Sequence, residues 1–215
     1  MVKVNLLRSI PKSNRKVKNR LDKKNKSVIK ISKKFGAKYF DGERKYGYGG
    51  YKYDGRWQGV AKDIIKHFSL KKGSKVLDVG CAKGYLVRDL LDQCIDAYGI
   101  DISRYALENA DKKVKNRLFY GNAKKINFKN NFFDAAISIN CIHNLKKKYC
   151  IMALKEIQRV SKGKCFVQID SYETAKEKRL FLDWVLTAET HGSPEEWYKI
   201  FNKAEYKGDW YWTKV

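Results

Sequence analysis

An α/β fold with a doubly wound, mostly parallel sheet is the class this sequence predicts, and three observations predict it. From Lys75 onward, short apolar runs alternate with amphipathic stretches. The runs are continuously apolar, as strands covered on both faces are. The chain has 215 residues, enough for one such domain with a modest extension.

Taken in order, the strands are predicted at Lys75–Val79, Ala97–Ile100, Leu118–Tyr120, Ala135–Ile139 and Cys165–Ile169. Helices are predicted between them at Tyr85–Leu91, Arg104–Val114 and Tyr149–Val160. Ahead of the sheet, a helix over Trp57–Phe68 places Val60, Ile64, Ile65 and Phe68 on one face. After Asp170 come helices over Ala175–Leu186 and Pro194–Ala204; Ser193 is a suitable N-cap, Pro194 a suitable first residue, and Glu195 and Glu196 favour the helix start. A final aromatic strand over Asp209–Thr213 is expected to run antiparallel at the sheet edge. Trp197, Tyr206, Trp210, Tyr211 and Trp212 are expected to pack the end of the sheet.

The N-terminal quarter reads differently. Residues 1–35 hold thirteen Lys/Arg against the single acid Asp22, and read as a basic arm with a short helix around Val28, Ile29 and Ile31 ending near Gly36. Residues 39–57 carry five glycines and seven aromatics, a composition that no helix supports. The expected division is therefore 1–56, a basic arm and an aromatic, glycine-rich lid segment, and 57–215, a ligand-binding domain.

The net charge is +24. An arm of this kind suits RNA, DNA or an anionic surface. Against that, Lys outnumbers Arg 37 to 10 and Pro is nearly absent, the drift of an AT-rich coding sequence, while Arg, suited to bidentate phosphate recognition, is scarce. Drift is the favoured reading. No run approaches the roughly 18–20 apolar residues of a membrane span. The start Met1-Val2-Lys3-Val4-Asn5 lacks the apolar core of a secretory signal, so a cytoplasmic protein is expected. Cys81, Cys94, Cys141, Cys150 and Cys165 form no CxxC pair, which argues against a zinc ribbon or redox motif and for reduced, small hydrophobes.

The chemistry concentrates in four segments. In Val76-Leu77-Asp78-Val79-Gly80-Cys81-Ala82-Lys83-Gly84-Tyr85 a strand runs through a glycine turn into a helix, bringing backbone N–H groups to a ligand. The acid ahead of the first glycine would repel a pyrophosphate but suits an ammonium group. Tyr98-Gly99-Ile100-Asp101 ends the next strand on a carboxylate able to accept ribose hydroxyls. Gly121-Asn122-Ala123 follows the third strand, and Asn140-Cys141-Ile142-His143-Asn144 the fourth.

The order of these segments resembles the class I (Rossmann-like) S-adenosylmethionine (SAM)-dependent methyltransferases over roughly residues 57–170. The resemblance implies SAM as cofactor and S-adenosylhomocysteine as product. It implies that Gly80, Cys81, Ala82 and Gly84 face the methionine part, with Asp78 near its amino group and Asn140 alongside. Asp101 would hold the ribose, Ile102 would pack on the adenine, and Asn122 and Ala123 would meet its edge. Ala82 stands where many members have glycine, and Asn122 where many have aspartate.

His143 is the candidate general base, because it follows the fourth strand where an acceptor would approach; capping a loop is the alternative. Tyr48, Tyr51 and Tyr53 form a candidate lid over a sulfonium and its acceptor, with Arg56 available to an acidic group. No set of carboxylates suggests a metal, and Asp170 reads as a surface acid. The expected activity is methyl transfer to an O or N atom of a small metabolite such as a sugar or an amino or hydroxy acid. Two alternatives stay open. One is an RNA or protein methyltransferase using residues 1–35, although the Asn-Pro-Pro-Tyr type motif of many base methyltransferases is absent. The other is a non-catalytic SAM-binding module. Oligomeric state is left open.

Overall fold

The computed structural model describes residues 1–11 and 17–214. Residues 12–16 of the expected basic arm lie outside the described residues. Six strands, β1 (Lys75–Val79), β2 (Asp96–Asp101), β3 (Leu118–Tyr120), β4 (Ala135–Ile139), β5 (Cys165–Asp170) and β6 (Asp209–Thr213), form one sheet in the order β3-β2-β1-β4-β5-β6. Around it lie α1 (Val17–Leu21), α2 (Lys26–Ser32), α3 (Ala37–Phe40), α4 (Trp57–His67), α5 (Tyr85–Asp92), α6 (Arg104–Glu108), α7 (Lys147–Val160), α8 (Ala175–Trp184) and α9 (Pro194–Ala204).

The sheet is parallel throughout, β6 included, in register from Phe166 opposite Asp209 to Asp170 opposite Thr213. The expectation of an antiparallel edge strand is thereby corrected. An antiparallel neighbour needs only a hairpin, whereas α8 and α9 make a crossover. α9 packs beside α7 and carries the chain back to the edge from which β5 started.

Alternation along the strands splits the core into two layers. Leu77, Val79, Ala136 and Val167 pack with Leu154, Ile157, Trp197 and Phe201 on the side of α7 and α9. Val76, Ala135, Ile137 and Phe166 pack with Val60, Ile64, Leu86 and Leu90 on the side of α4 and α5. Trp197 is wholly buried, and its indole N–H donates to the Asp170 carbonyl at 2.8 Å. Ser193 and Glu196 form a reciprocal capping box that starts α9 at Pro194, as its sequence signals.

Two local expectations are revised. The helix at Arg104 stops at Glu108, well short of Val114. Asp111 accepts from the Lys113 N–H at 2.9 Å and pairs with Arg88 at 2.5 Å, so this polar side chain satisfies a turn in place of another helical one. The first residues are also not a free arm. The Val4 N–H donates to the Trp210 carbonyl at 3.0 Å and the Trp210 N–H to the Val2 carbonyl at 3.1 Å, adding a short parallel rung beyond β6. Leu6 is 3% exposed and sits among the α4 core residues.

Trp197→Ala is expected to cost about 3–5 kcal/mol, as deletion of a buried tryptophan typically does. The urea midpoint measures it. A loss under about 1 kcal/mol would show that α9 does not depend on this wedge.

Candidate active site

The strand order reverses direction between β1 and β4, and a cleft opens at the C-terminal ends of the strands there, where α/β sheets place ligands. The β1 turn has a left-handed backbone at three of five positions: Gly80 (φ 87°), Ala82 (φ 51°) and Gly84 (φ 73°). A Cβ on Gly80 would meet the Cys141 Sγ at 2.3 Å, and one on Gly84 the Leu118 side chain at 2.7 Å. Both glycines are therefore required twice, by conformation and by packing.

Gly80, Ala82, Asp101, Ile102, Asn122, Ala123 and Asn140 all line this cleft. Cys81 is buried behind the turn, against Gly99, and Gly84 caps α5 there; both support the turn from outside the lining. The Asp101 carboxylate accepts from the Ala82 N–H at 2.8 Å and the Ser103 N–H at 2.7 Å, which fixes its plane and leaves lone pairs on both oxygens. Burial raises its pKa in spite of those bonds. Asn122 Oδ1 accepts from the Lys124 N–H at 3.1 Å, so its amide is oriented.

Asp78 is 5% exposed, and among the described residues no donor reaches its carboxylate. Burial, with the charge of Asp101 adding, pushes its pKa up to about 7. Its contribution to fold stability is thus complete below about pH 4 and is lost as pH rises towards 7, because the folded protein resists ionising it. Asp78 lies in β1 and is not among the residues that line the cleft.

Three further polar groups bear on the cleft: Thr213 and Gln168, which the sequence did not single out, and Asn144, which it set with Asn140 and His143 in the fourth segment. The Thr213 hydroxyl donates to Asn140 Oδ1 at 2.7 Å, and the Gln168 amide to Thr213 Oγ1 at 2.9 Å, so β5 and β6 together hold Asn140 in its left-handed conformation (φ 52°). Asn144 lines the cleft, and its Oδ1 is buried with no hydrogen-bond partner. Asn144 directly follows a residue that was singled out; its orphaned oxygen has no sequence signature.

His143 does not line the cleft. It is 5% exposed; its Nδ1 accepts from the Asp170 N–H at 3.2 Å and its Nε2 lies 3.5 Å from the Asp170 carboxylate. The lone pair needed by a general base is engaged. The ring ties the turn after β4 to the end of β5, while its carbonyl accepts from the Glu189 and Thr190 N–H groups.

The roof is aromatic, and it is formed by Phe35, Tyr39, Phe40 and Tyr48. Of the residues expected in the lid, Tyr48 is a lining residue of the cleft. Tyr51 packs against it with centroids 4.4 Å apart and against Tyr85 at 4.9 Å. Tyr53 and Arg56 are elsewhere: the Tyr53 hydroxyl donates to Asp89 at 2.6 Å on α5 with Arg88 over its ring, and Arg56 pairs with Asp54. Their expected place in the lid is corrected. Tyr39 and Phe40 belong to the aromatic segment but were not singled out as lid residues, and Phe35 fell in the stretch that read as basic arm.

A latch holds this roof to the glycine turn. Lys83, 6% exposed, donates to both Asp41 oxygens at 2.9 and 2.7 Å and to the Tyr51 carbonyl at 3.0 Å. Tyr105 donates to Asp41, Tyr85 to the Tyr51 carbonyl, and Ser103 to the Phe35 carbonyl. Burial would raise the Asp41 carboxyl, but its bonds from Lys83, Tyr105 and the Tyr51 N–H outweigh that and hold it low. The cleft has a volume of about 130 Å³ and is partly open to solvent. Among the described residues, no group of three or more His, Cys, Asp or Glu could hold a metal ion.

Residues 77–167 match a family model described as a methyltransferase domain. A demethylmenaquinone methyltransferase of Anoxybacillus flavithermus is 32% identical over 110 residues, covering 47% of this chain and 46% of that protein. The chain thus spans about half the length of such curated relatives. A methyltransferase of Haloferax volcanii, solved in complex with the Trm112 methyltransferase activator, superposes with a TM-score of 0.54 at 22% identity, covering 70% of this chain and 71% of that one. A SAM-dependent methyltransferase of Methanosarcina mazei superposes with a TM-score of 0.53 at 19% identity, covering 65% and 82%. At those identities the likeness is one of fold.

Lys83→Ala is expected to raise hydrogen exchange across residues 36–56 while β1, β4 and β5 keep their protection; unchanged exchange would show that the latch holds nothing. His143→Ala should cost about 1–3 kcal/mol, from a lost buried hydrogen bond and an unpaired Asp170 N–H. Full stability in that variant would remove the structural role assigned to the ring.

Proposed function

We propose, from the match of residues 77–167 to a methyltransferase domain, that this chain is a class I SAM-dependent methyltransferase and transfers a methyl group from SAM to an O or N atom of a small acceptor. One observation carries the reading. A buried carboxylate with no donor, Asp78, and a second one held flat by backbone N–H groups, Asp101, face the same switch-point turn from adjacent strands.

The residues present fit SAM. Asp78 takes the ammonium group, Asp101 accepts the ribose hydroxyls, and Ile102, 48% exposed at the rim, covers the adenine face. Asn122 and Ala123 meet the adenine edge, while Gly80, Ala82 and Asn140 border the methionine moiety. SAM supplies, when bound, a methyl carbon on a sulfonium. Tyr39 and Tyr48 line the roof, and aromatic rings attract such a cation. Closure of the roof excludes water and narrows the approach of an acceptor. Asn144 Oδ1, which lacks a donor, accepts a hydrogen bond from an acceptor hydroxyl or amine and orients its lone pair, and the acceptor's proton is released to solvent as the methyl group leaves sulfur. With His143 engaged, Asn144 aligns the acceptor, and positioning contributes more than deprotonation.

The small size of the aromatic-lined cleft favours a small acceptor over a polypeptide. The name of the Anoxybacillus relative supports methyl transfer in general; the half-length match does not extend to its acceptor.

Calorimetry with S-adenosylhomocysteine tests the reading. Below about pH 7 the protein must release a proton from Asp78 to bind the ammonium group, so affinity is expected to rise up to about tenfold per pH unit between pH 5 and 7 and then level. Asp78→Asn should flatten that profile and weaken binding at pH 7.5. No heat with the well-folded protein, across pH, would remove the assignment.

A further inference from the structure

Lys and Arg make up 47 of the 215 residues, yet neither occurs among the sixteen described residues that line the cleft. The charged side chain there is Asp101, which is assigned to the ribose. Beyond the residues assigned to SAM, the wall left for an acceptor is made of Phe35, Tyr39, Phe40, Tyr48 and Leu145, with Asn144 beside them. Tyr39 joins the rings together, its centroid 5.1 Å from Phe35, 5.2 Å from Phe40 and 5.3 Å from Tyr48.

Such a wall selects against most acceptors. A phosphate or carboxylate would sit near Asp101 with no lining cation to compensate it. A sugar would bring several hydroxyls to one free acceptor atom, since Asn144 Oδ1 is the lining side-chain atom that is buried without a partner. The Asn144 amide nitrogen donates to the Asn140 carbonyl at 3.4 Å, so the orphaned atom is the oxygen, and it calls for a single donor. An arylamine would bring two.

The lining also holds no base for a weakly acidic group. Tyr39 and Tyr48 are protonated at neutral pH, burial pushes the Cys141 thiol up, and His143 lies outside the cleft. An alkyl hydroxyl holds its proton about as tightly as water, ~15.7, and an alkyl amine is charged below ~10. Both would need a base. An aromatic hydroxyl ionises near ~10, as a tyrosine does, and needs the least help.

We propose that the methyl acceptor is a phenol, an uncharged aromatic ring whose hydroxyl donates to Asn144 Oδ1 while the ring lies among Phe35, Tyr39, Phe40 and Tyr48. This rests on the methyltransferase reading and names its substrate class. The phenol oxygen's lone pair forms the new C–O bond as the C–S bond breaks with its electrons to sulfur. The hydroxyl proton passes to solvent, to which the cleft is partly open.

NMR titration of the full chain, with and without saturating S-adenosylhomocysteine, tests the proposal. The probes are phenol, cyclohexanol, which is neither flat nor acidic, toluene, which lacks the hydroxyl, and benzoate, which is anionic. Phenol is expected to shift the Asn144 side-chain amide signals and to bind at least fivefold tighter than each of the others. Asn144→Ala should bring phenol down to the level of toluene while S-adenosylhomocysteine affinity stays within twofold. If cyclohexanol or benzoate binds as tightly as phenol, or Asn144→Ala keeps the preference for phenol over toluene, the proposal is overturned. It is overturned too, with the cofactor assignment left standing, if S-adenosylhomocysteine binds and phenol moves no Asn144 signal. A protein that binds phenol in this pattern but not S-adenosylhomocysteine would instead overturn the cofactor assignment.

Discussion

The left-handed turn between β1 and α5 is the constraint on which the rest of the site depends. Three of five residues at positive φ force the chain off the strand end and into the helix within one short loop. That bend aims the Ala82 N–H at Asp101, which welds the end of β2 to the turn. It also turns Lys83 away from the cleft and under residues 41–51, so the backbone that shapes the floor also anchors the roof. Ala82 bears its Cβ in a conformation that disfavours one, and the hydrogen bond to Asp101 helps to hold it there.

Floor and roof were not equally legible in the sequence. Strands β1, β3 and β4 were readable to the residue, because short runs of apolar and aromatic residues bounded by glycine, Asp or Asn mark strand ends sharply. The acids at the ends of β1 and β2 stood out for the same reason, being charges set against apolar strands. Tyr39 and Phe40 carry no such periodic signal: α3 is a four-residue helix, and its place over the cleft comes from contacts with residues more than 40 positions away. The direction of β6 was likewise unreadable from its own five residues, since strand pattern is the same either way round and only the path of α8 and α9 decides it.

His143 shows a different limit. A histidine after a central strand of an α/β sheet invites a catalytic role, but its ring can turn to either side of the strand end. Here it turns inward, towards Asp170, and the residue after it faces the ligand space. The two neighbours differ by one position in the chain and by their entire chemical environment. Asn144 offers the cleft a neutral acceptor where an imidazole would have offered a base.

The rung formed by Val2 and Val4 on Trp210 bears on how the molecule is assembled. Asp209 bonds the Val2 N–H at 2.6 Å and His67 at 2.8 Å, so it binds the beginning of the chain and the end of α4 at once. The partners Val2 and Asp209 are separated by 207 positions, the longest closure recorded among the side-chain hydrogen bonds. During synthesis residues 2–4 must therefore wait for residues 209–210 before they can settle, and the outer edge of β6 lies unpaired until they do. The outer strand is thus the last part of the sheet to be sealed, and a nascent chain halted before residue 209 has nothing for its first residues to pair with.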